Sequence, residues 1–143
     1  LVLTLDDDPT EDGFLQVREI YNQKLRADLV VLSACQTARG KLEKGEGIQG
    51  LSRAFFYAGT QSVLASLWNI NDKSTAIFMQ RFYRNLTLGK TKQGALRRTK
   101  LEMLRSKYHQ PYHWAGFILI GEGNKAISIK QASLWKRITS RLF

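Results

Sequence analysis

The 143-residue sequence holds one cysteine, two prolines and two histidines, and its longest nearly unbroken apolar run is "WAGFILIG". Each scarcity excludes something. A lone thiol forms no internal disulfide, so nothing supports an oxidising compartment and the cytoplasm is the default expectation. The apolar run is far shorter than the roughly 18 to 20 residues a spanning helix needs, so no membrane segment is expected. One cysteine and two histidines without a spaced carboxylate give no ligand set, and neither a metal nor another cofactor is expected. The amino terminus, "LVLTLDDDPTEDG", is apolar and then acidic, the reverse of a signal peptide, and it lacks an initiator methionine. The expectation is a chain that begins inside a longer one.

Acid is scarce at one end only. Positions 1 to 40 hold 4 Lys/Arg and 7 Asp/Glu, positions 41 to 89 hold 6 and 3, and positions 90 to 143 hold 12 and 2. The net charge of +10 therefore collects towards the carboxyl end. Such an excess invites a nucleic-acid reading. In "RRTKLEMLRSK" (97 to 107), however, the bases alternate with apolar residues at helical spacing, so a solvated face over a packed one explains them more simply. No aromatic stacking pattern and no zinc finger supports the sharper view.

What is present suits a globular chain, with 43% apolar and 24% charged residues, in one domain or one piece of a larger one. "LVLTL" reads as a short strand, "DDDPTEDG" as a turn and "FLQVREIYNQKL" as a short helix. "DLVVLSA" is a β-branched run of strand length, the pattern of a parallel strand covered on both faces. "GIQGLSRAFFYAG" puts Ile48, Leu51, Phe55 and Ala58 on one helical side and stops at Gly59. "SVLASLW" (62 to 68) is a second buried strand, and "NIND" the loop beyond it. In the next helix Phe78, Phe82 and Leu86 recur by fours before Gly89. A further helix, "TKQGALRRTKLEMLRSKY", turns Leu101, Leu104 and Tyr108 inward, and "HWAGFILIG" (113 to 121) is a third buried strand. Strands alternating with helices predict an α/β fold with right-handed crossovers and a mostly parallel sheet carrying helices on both faces. In such sheets ligands gather beyond the carboxyl ends of the strands, where Cys35 and "NIND" fall.

Four stretches in order, "LVVLSACQT", "GEGIQGLSRAFFYAGTQSVLASLWNINDKST", "FYRNL" and "HQPYHWAGFILIGE", resemble the carboxyl-terminal half of the CHAT domain. This is the caspase-like cysteine peptidase domain of bacteria and some eukaryotes, related to caspases and separases and often fused to tetratricopeptide repeats. The resemblance runs from about Leu1 to Glu122 and leaves 123–143 as a basic amphipathic tail. It implies a caspase-like three-layer sandwich, incomplete at its amino-terminal side, and a nucleophilic thiolate at Cys35. It also implies a histidine partner upstream of this chain, since none of the 34 residues before Cys35 is a histidine. Without such a base a free thiol is only a few per cent ionised at neutral pH, and the leaving amine has no proton donor. The plain alternative is a small buried apolar cysteine. His109 and His113 fall in the family's "HPYYWA"-like motif, which does not hold its catalytic histidine, and read as turn or edge-of-core residues.

In separase-like relatives acidic residues in the matching loops receive a basic P1 side chain, which makes Glu46 and Asp72 candidate substrate-binding residues. Each has a competing local role: Asp72 as a helix N-cap, Glu46 beside the start of the helix from 48 to 58. In the tail, Leu134, Trp135, Ile138 and Leu142 form an apolar stripe among bases, suited to a partner groove or an anionic membrane surface over 130–143. Two functions follow. One is part of a bacterial regulatory or defence endopeptidase that cleaves protein or peptide substrates through Cys35, completed by an upstream half and by tetratricopeptide repeats. The other is a non-catalytic scaffold or pseudopeptidase that binds a protein partner.

Overall fold

The structure, a computed structural model, describes residues 16–32 and 47–127. The expected first strand and acidic turn, the end of the strand leading to Cys35, and the tail over 130–143 lie outside the described residues. The described residues divide into two compact units, the described part of Leu1–Ile70 with Gly116–Glu122, and Asn71–Ala115 with the described part of Gly123–Phe143.

The first unit is built on β2 (Ser62–Ser66), whose five residues are all buried. On one side β1 (Val30–Leu32) pairs with it in parallel, Val30 opposite Val63 and Leu32 opposite Ala65. On the other, β3 (Phe117–Gly121) pairs antiparallel, Ser62 opposite Gly121 and Ser66 opposite Phe117. The order is β1-β2-β3. The expected mostly parallel, three-layer sandwich is therefore corrected: among the described residues the sheet is three-stranded and mixed. The reason is that an apolar run reports burial and not strand direction. Among the described residues one helix, α2 (Gly47–Tyr57), lies between β1 and β2, as a parallel crossover allows. The chain enters β3 at the end of the sheet where it leaves β2, so the two strands run antiparallel, and there Leu67 N–H donates to the Gly116 carbonyl at 3.0 Å.

The core of this unit joins Ile20 of α1 (Val17–Asn22), Leu32 of β1, Leu51, Ala54, Phe55 and Ala58 of α2 and its exit, and Val63 and Ala65 of β2. The i, i+3, i+4, i+7 spacing of the α2 residues is what gives that helix one apolar side. The expected full burial of β1 and β3 is not found: Val30, Val31 and Ile118 to Ile120 are only partly covered. Ser62 ties the strand ends together, its hydroxyl oxygen 3.0 Å from the Asp28 carbonyl and 2.7 Å from that of Glu122.

The second unit is a helical hairpin. Asn71 caps α3 (Asp72–Thr87) by accepting from Lys73 N–H at 3.0 Å, and Thr91 caps α4 (Lys92–Leu104) by accepting from Gly94 N–H at 3.0 Å. Phe78, Phe82 and Leu86 are buried on α3 as their spacing requires. On α4 the buried stripe is Ala95, Thr99 and Met103, not the expected Leu101, Leu104 and Tyr108. Polar pairing decides this register. Asn85 Nδ2 donates to Thr99 Oγ1 at 3.3 Å, Arg81 donates to the Glu102 carbonyl at 2.6 Å, and Arg84 pairs with the Glu102 carboxylate at 2.8 Å. The small Ala95 and Thr99 let the helices approach closely enough for these bonds to form.

Gly59 closes α2 with φ +103°, and an added Cβ would collide with the Leu25 carbonyl. Gly59→Ala is therefore expected to lower stability by about 1–3 kcal/mol, read from its urea midpoint against the unsubstituted protein. An unchanged midpoint would show that the α2 exit does not need its left-handed turn.

Candidate functional site

Because β1 and β2 are parallel neighbours, the chain leaves both at one edge of the sheet, the place expected to gather functional groups. Cys35 and Glu46 lie outside the described residues. The exit of β2 is described, and it is tightly organised. Ser66 Oγ donates to the Trp68 carbonyl at 2.7 Å, and the Trp68 ring lies so close to Gly116 that a Cβ there would stand 2.8 Å from it. Leu67 and Trp68 are both exposed, so this edge carries an apolar rim. The Trp68 and Gly116 pairing was not foreseen from the sequence. Its only signal was a glycine within the apolar run "WAGFILIG".

Asp72 is the first residue of α3 and is exposed. It is not the N-cap, a role taken by Asn71, and its carboxylate stands in the first turn, where it complements the helix dipole.

Both histidines belong to the second unit. His113 closes a 3-10 turn over Pro111–His113, and its Nδ1 lies 3.2 Å from Ser74 Oγ. The Ser74 hydroxyl donates to the Asn71 carbonyl at 2.9 Å, so Ser74 ties the ring to the start of α3. Ser74 is fully buried with its proton committed to the backbone, so this Ser–His contact orients the ring and does not make a nucleophile. Tyr108 and Tyr112 meet the His113 ring edge-on, with centroids at 5.3 and 5.5 Å. His109 contributes its carbonyl, which accepts from Trp114 Nε1 at 3.1 Å. The expected structural role for both histidines agrees with these contacts. Among the described residues no group of His, Cys, Asp or Glu could hold a metal ion.

Two polar groups here depart from their ordinary titration. Burial holds the Lys100 ammonium below the usual lysine value, and its Nζ reaches the Ala115 carbonyl at 3.3 Å. Burial pushes the Tyr83 phenol up.

A family profile described as CHAT domain matches residues 1–122. The chain belongs to the CHAT-domain family. The expectation that only the carboxyl-terminal half of such a domain is present is corrected by that match, which spans most of the chain. Relatives include tetratricopeptide repeat protein 28 of Mus musculus and of Homo sapiens, each 34% identical over 121 residues, or 84% of this chain. The chain spans about 5% of the length of these relatives. No solved structure matches the chain.

Lys100 yields a pH test. Its proton is held less firmly in the folded than in the unfolded chain, so its cost is present at neutral pH and is relieved as pH rises towards the unfolded value of 10.5. Tyr83 acts oppositely, but only above its ordinary 10.0. Between neutrality and that point, the stability of the unsubstituted protein minus that of Lys100→Met should rise with pH in urea titrations. A flat difference would mean that the ammonium is not desolvated.

Proposed function

We propose that this CHAT-family chain is a non-catalytic, protein-binding domain that works beside tetratricopeptide repeats. The observation that carries the reading is the state of the two histidines. His113 is held by Ser74, Tyr108 and Tyr112, and His109 lies in the turn that receives Trp114, so each is accounted for by its own unit. A cysteine peptidase needs a base to ionise its thiol and an acid to protonate the departing amine. In this reading Cys35 and Glu46 take no part in peptide cleavage, and Asp72 serves its helix. Similarity to tetratricopeptide repeat protein 28 supports a protein partner, such as a neighbouring helical repeat, over a small-molecule substrate. A cytoplasmic setting belongs to the same proposal.

The test uses the protein as its gene encodes it. A peptidyl acyloxymethyl ketone with arginine at P1 is expected to leave Cys35 unmodified under conditions that label an active cysteine peptidase, and Cys35→Ala is expected to retain partner binding. A stoichiometric adduct on Cys35 that depends on the peptide portion would overturn the proposal and reinstate Cys35 as a nucleophile, with Glu46→Gln and Asp72→Asn the next variants to examine for basic P1 preference.

A further inference from the structure

The α3/α4 hairpin presents a face that the unit's own packing leaves open. Among the described residues of the second unit, eleven are Lys or Arg and two are Asp or Glu. Of those two, Asp72 stands at the start of α3, while Glu102 is shared by Arg84 at 2.8 Å and Arg98 at 3.2 Å. On α4 the buried stripe is Ala95, Thr99 and Met103. Helical geometry puts Arg97, Leu101, Leu104 and Arg105 on the opposite side. Arg97 and Arg105 are exposed, Leu101 is half-buried and Leu104 is 48% exposed. Among the described residues no carboxylate forms an ion pair with either arginine. The helix therefore carries two apolar stripes, one against α3 and one outward between guanidinium groups. A helix that is apolar on two sides ordinarily covers both.

We infer that the outward face of α4 docks an acidic amphipathic helix of a protein partner, with Leu101 and Leu104 receiving its apolar residues and Arg97 and Arg105 pairing with its carboxylates. This rests on the protein-binding reading above and assigns it a surface. Charge complementarity selects the occupant: a face set in a unit so short of acid attracts negative charge, and guanidinium pairs with carboxylate in bidentate geometry. The leucines select a protein helix over a nucleic acid. The arginines could pair with a phosphate as with a carboxylate, but leucines at i and i+3 would gain nothing against a phosphate backbone, whereas they match the spacing of an amphipathic helix.

The probe is a fluorescein-labelled synthetic peptide with leucines at i, i+3, i+4 and i+7 and glutamates elsewhere, followed by anisotropy at low and high salt. The protein is expected to bind it with an affinity that falls as salt rises. Arg97→Glu with Arg105→Glu, and separately Leu104→Ser, should each weaken binding about tenfold or more. Arg18→Glu with Arg53→Glu, an equal charge change on exposed positions of α1 and α2, should leave it unchanged. Far-UV circular dichroism confirms that each variant is folded. The inference is overturned if the α4 variants bind as tightly as the unsubstituted protein, or if the α1/α2 pair weakens binding as much. It is equally overturned if a peptide of the same composition with dispersed leucines binds as well, or if a single-stranded oligonucleotide of equal charge binds more tightly through the same residues. Labelling of Cys35 is a separate readout, so loss of this surface leaves the non-catalytic reading standing or falling on its own test.

Discussion

Hydrogen bonding on both edges of β2 is the constraint from which the rest of the first unit follows. A strand with all five residues buried has no water to satisfy its amides, so each must find a backbone partner. The parallel ladder with β1 and the antiparallel ladder with β3 supply those partners. Ser62, fully buried at the start of the strand, is satisfied by carbonyls from the entry of β1 and the exit of β3. Side chains then alternate as the pleat dictates: Val63 and Ala65 join the core shared with α1 and α2, while Leu64 is buried on the opposite face. The two neighbours run in opposite directions, so the edge where β1 and β2 end is also where β3 begins, and Trp68 and Gly116 meet there.

This explains which parts of the structure the sequence disclosed. "SVLAS" is apolar and small over strand length between a glycine-containing turn and a polar loop, and no other element fits it. The helices were equally plain, since Phe78, Phe82 and Leu86 recur by fours and Gly59 and Gly89 follow at positions that adopt positive φ. Strand direction was not readable, because apolar composition reports burial and says nothing of polarity. The pairing of α3 with α4 was hidden for a different reason, since it runs through the polar side chains of Asn85, Thr99, Arg81 and Glu102, which carry no apolar periodicity. The candidate site divides in the same way. The position of "NIND" beyond β2 was legible from the strand, but the capping role passed from Asp72 to Asn71, since either residue type satisfies a helix N-terminus and only the backbone angle decides.

The histidines show how a motif can be recognised while its role stays local. The resemblance carried by "HQPYHWAGFILIGE" identified the family without assigning its histidines to chemistry, and the structure gives the physical reason. His113 bridges the 3-10 turn to the first turn of α3, exchanging one hydrogen bond with Ser74 while two tyrosine edges fill the space around the ring. Lys100 reaches the Ala115 carbonyl two residues further along, so the segment approaching β3 is held from α4 as well. A ring so engaged serves the geometry of the turn.

The register of α4 is the least economical feature of the fold, and so the most informative. Burying a leucine fully is worth about 1.5–3 kcal/mol, and a helix free to choose would turn Leu101 and Leu104 inward and leave Thr99 in water. It does the reverse. The hairpin instead gains a buried Asn–Thr bond, an arginine on a main-chain carbonyl and a carboxylate between two guanidinium groups. Net contributions of about 0.5–1.5 kcal/mol for each neutral hydrogen bond do not clearly exceed what two buried leucines would provide. What the polar register adds is a unique alignment of α3 on α4, together with a half-buried Leu101 and an exposed Leu104 on the far side, bordered by arginines. In an isolated unit that arrangement would forgo apolar burial for nothing. In a domain that docks against an acidic helix, the forgone burial is recovered on binding, and the guanidinium groups beside it determine which helices qualify.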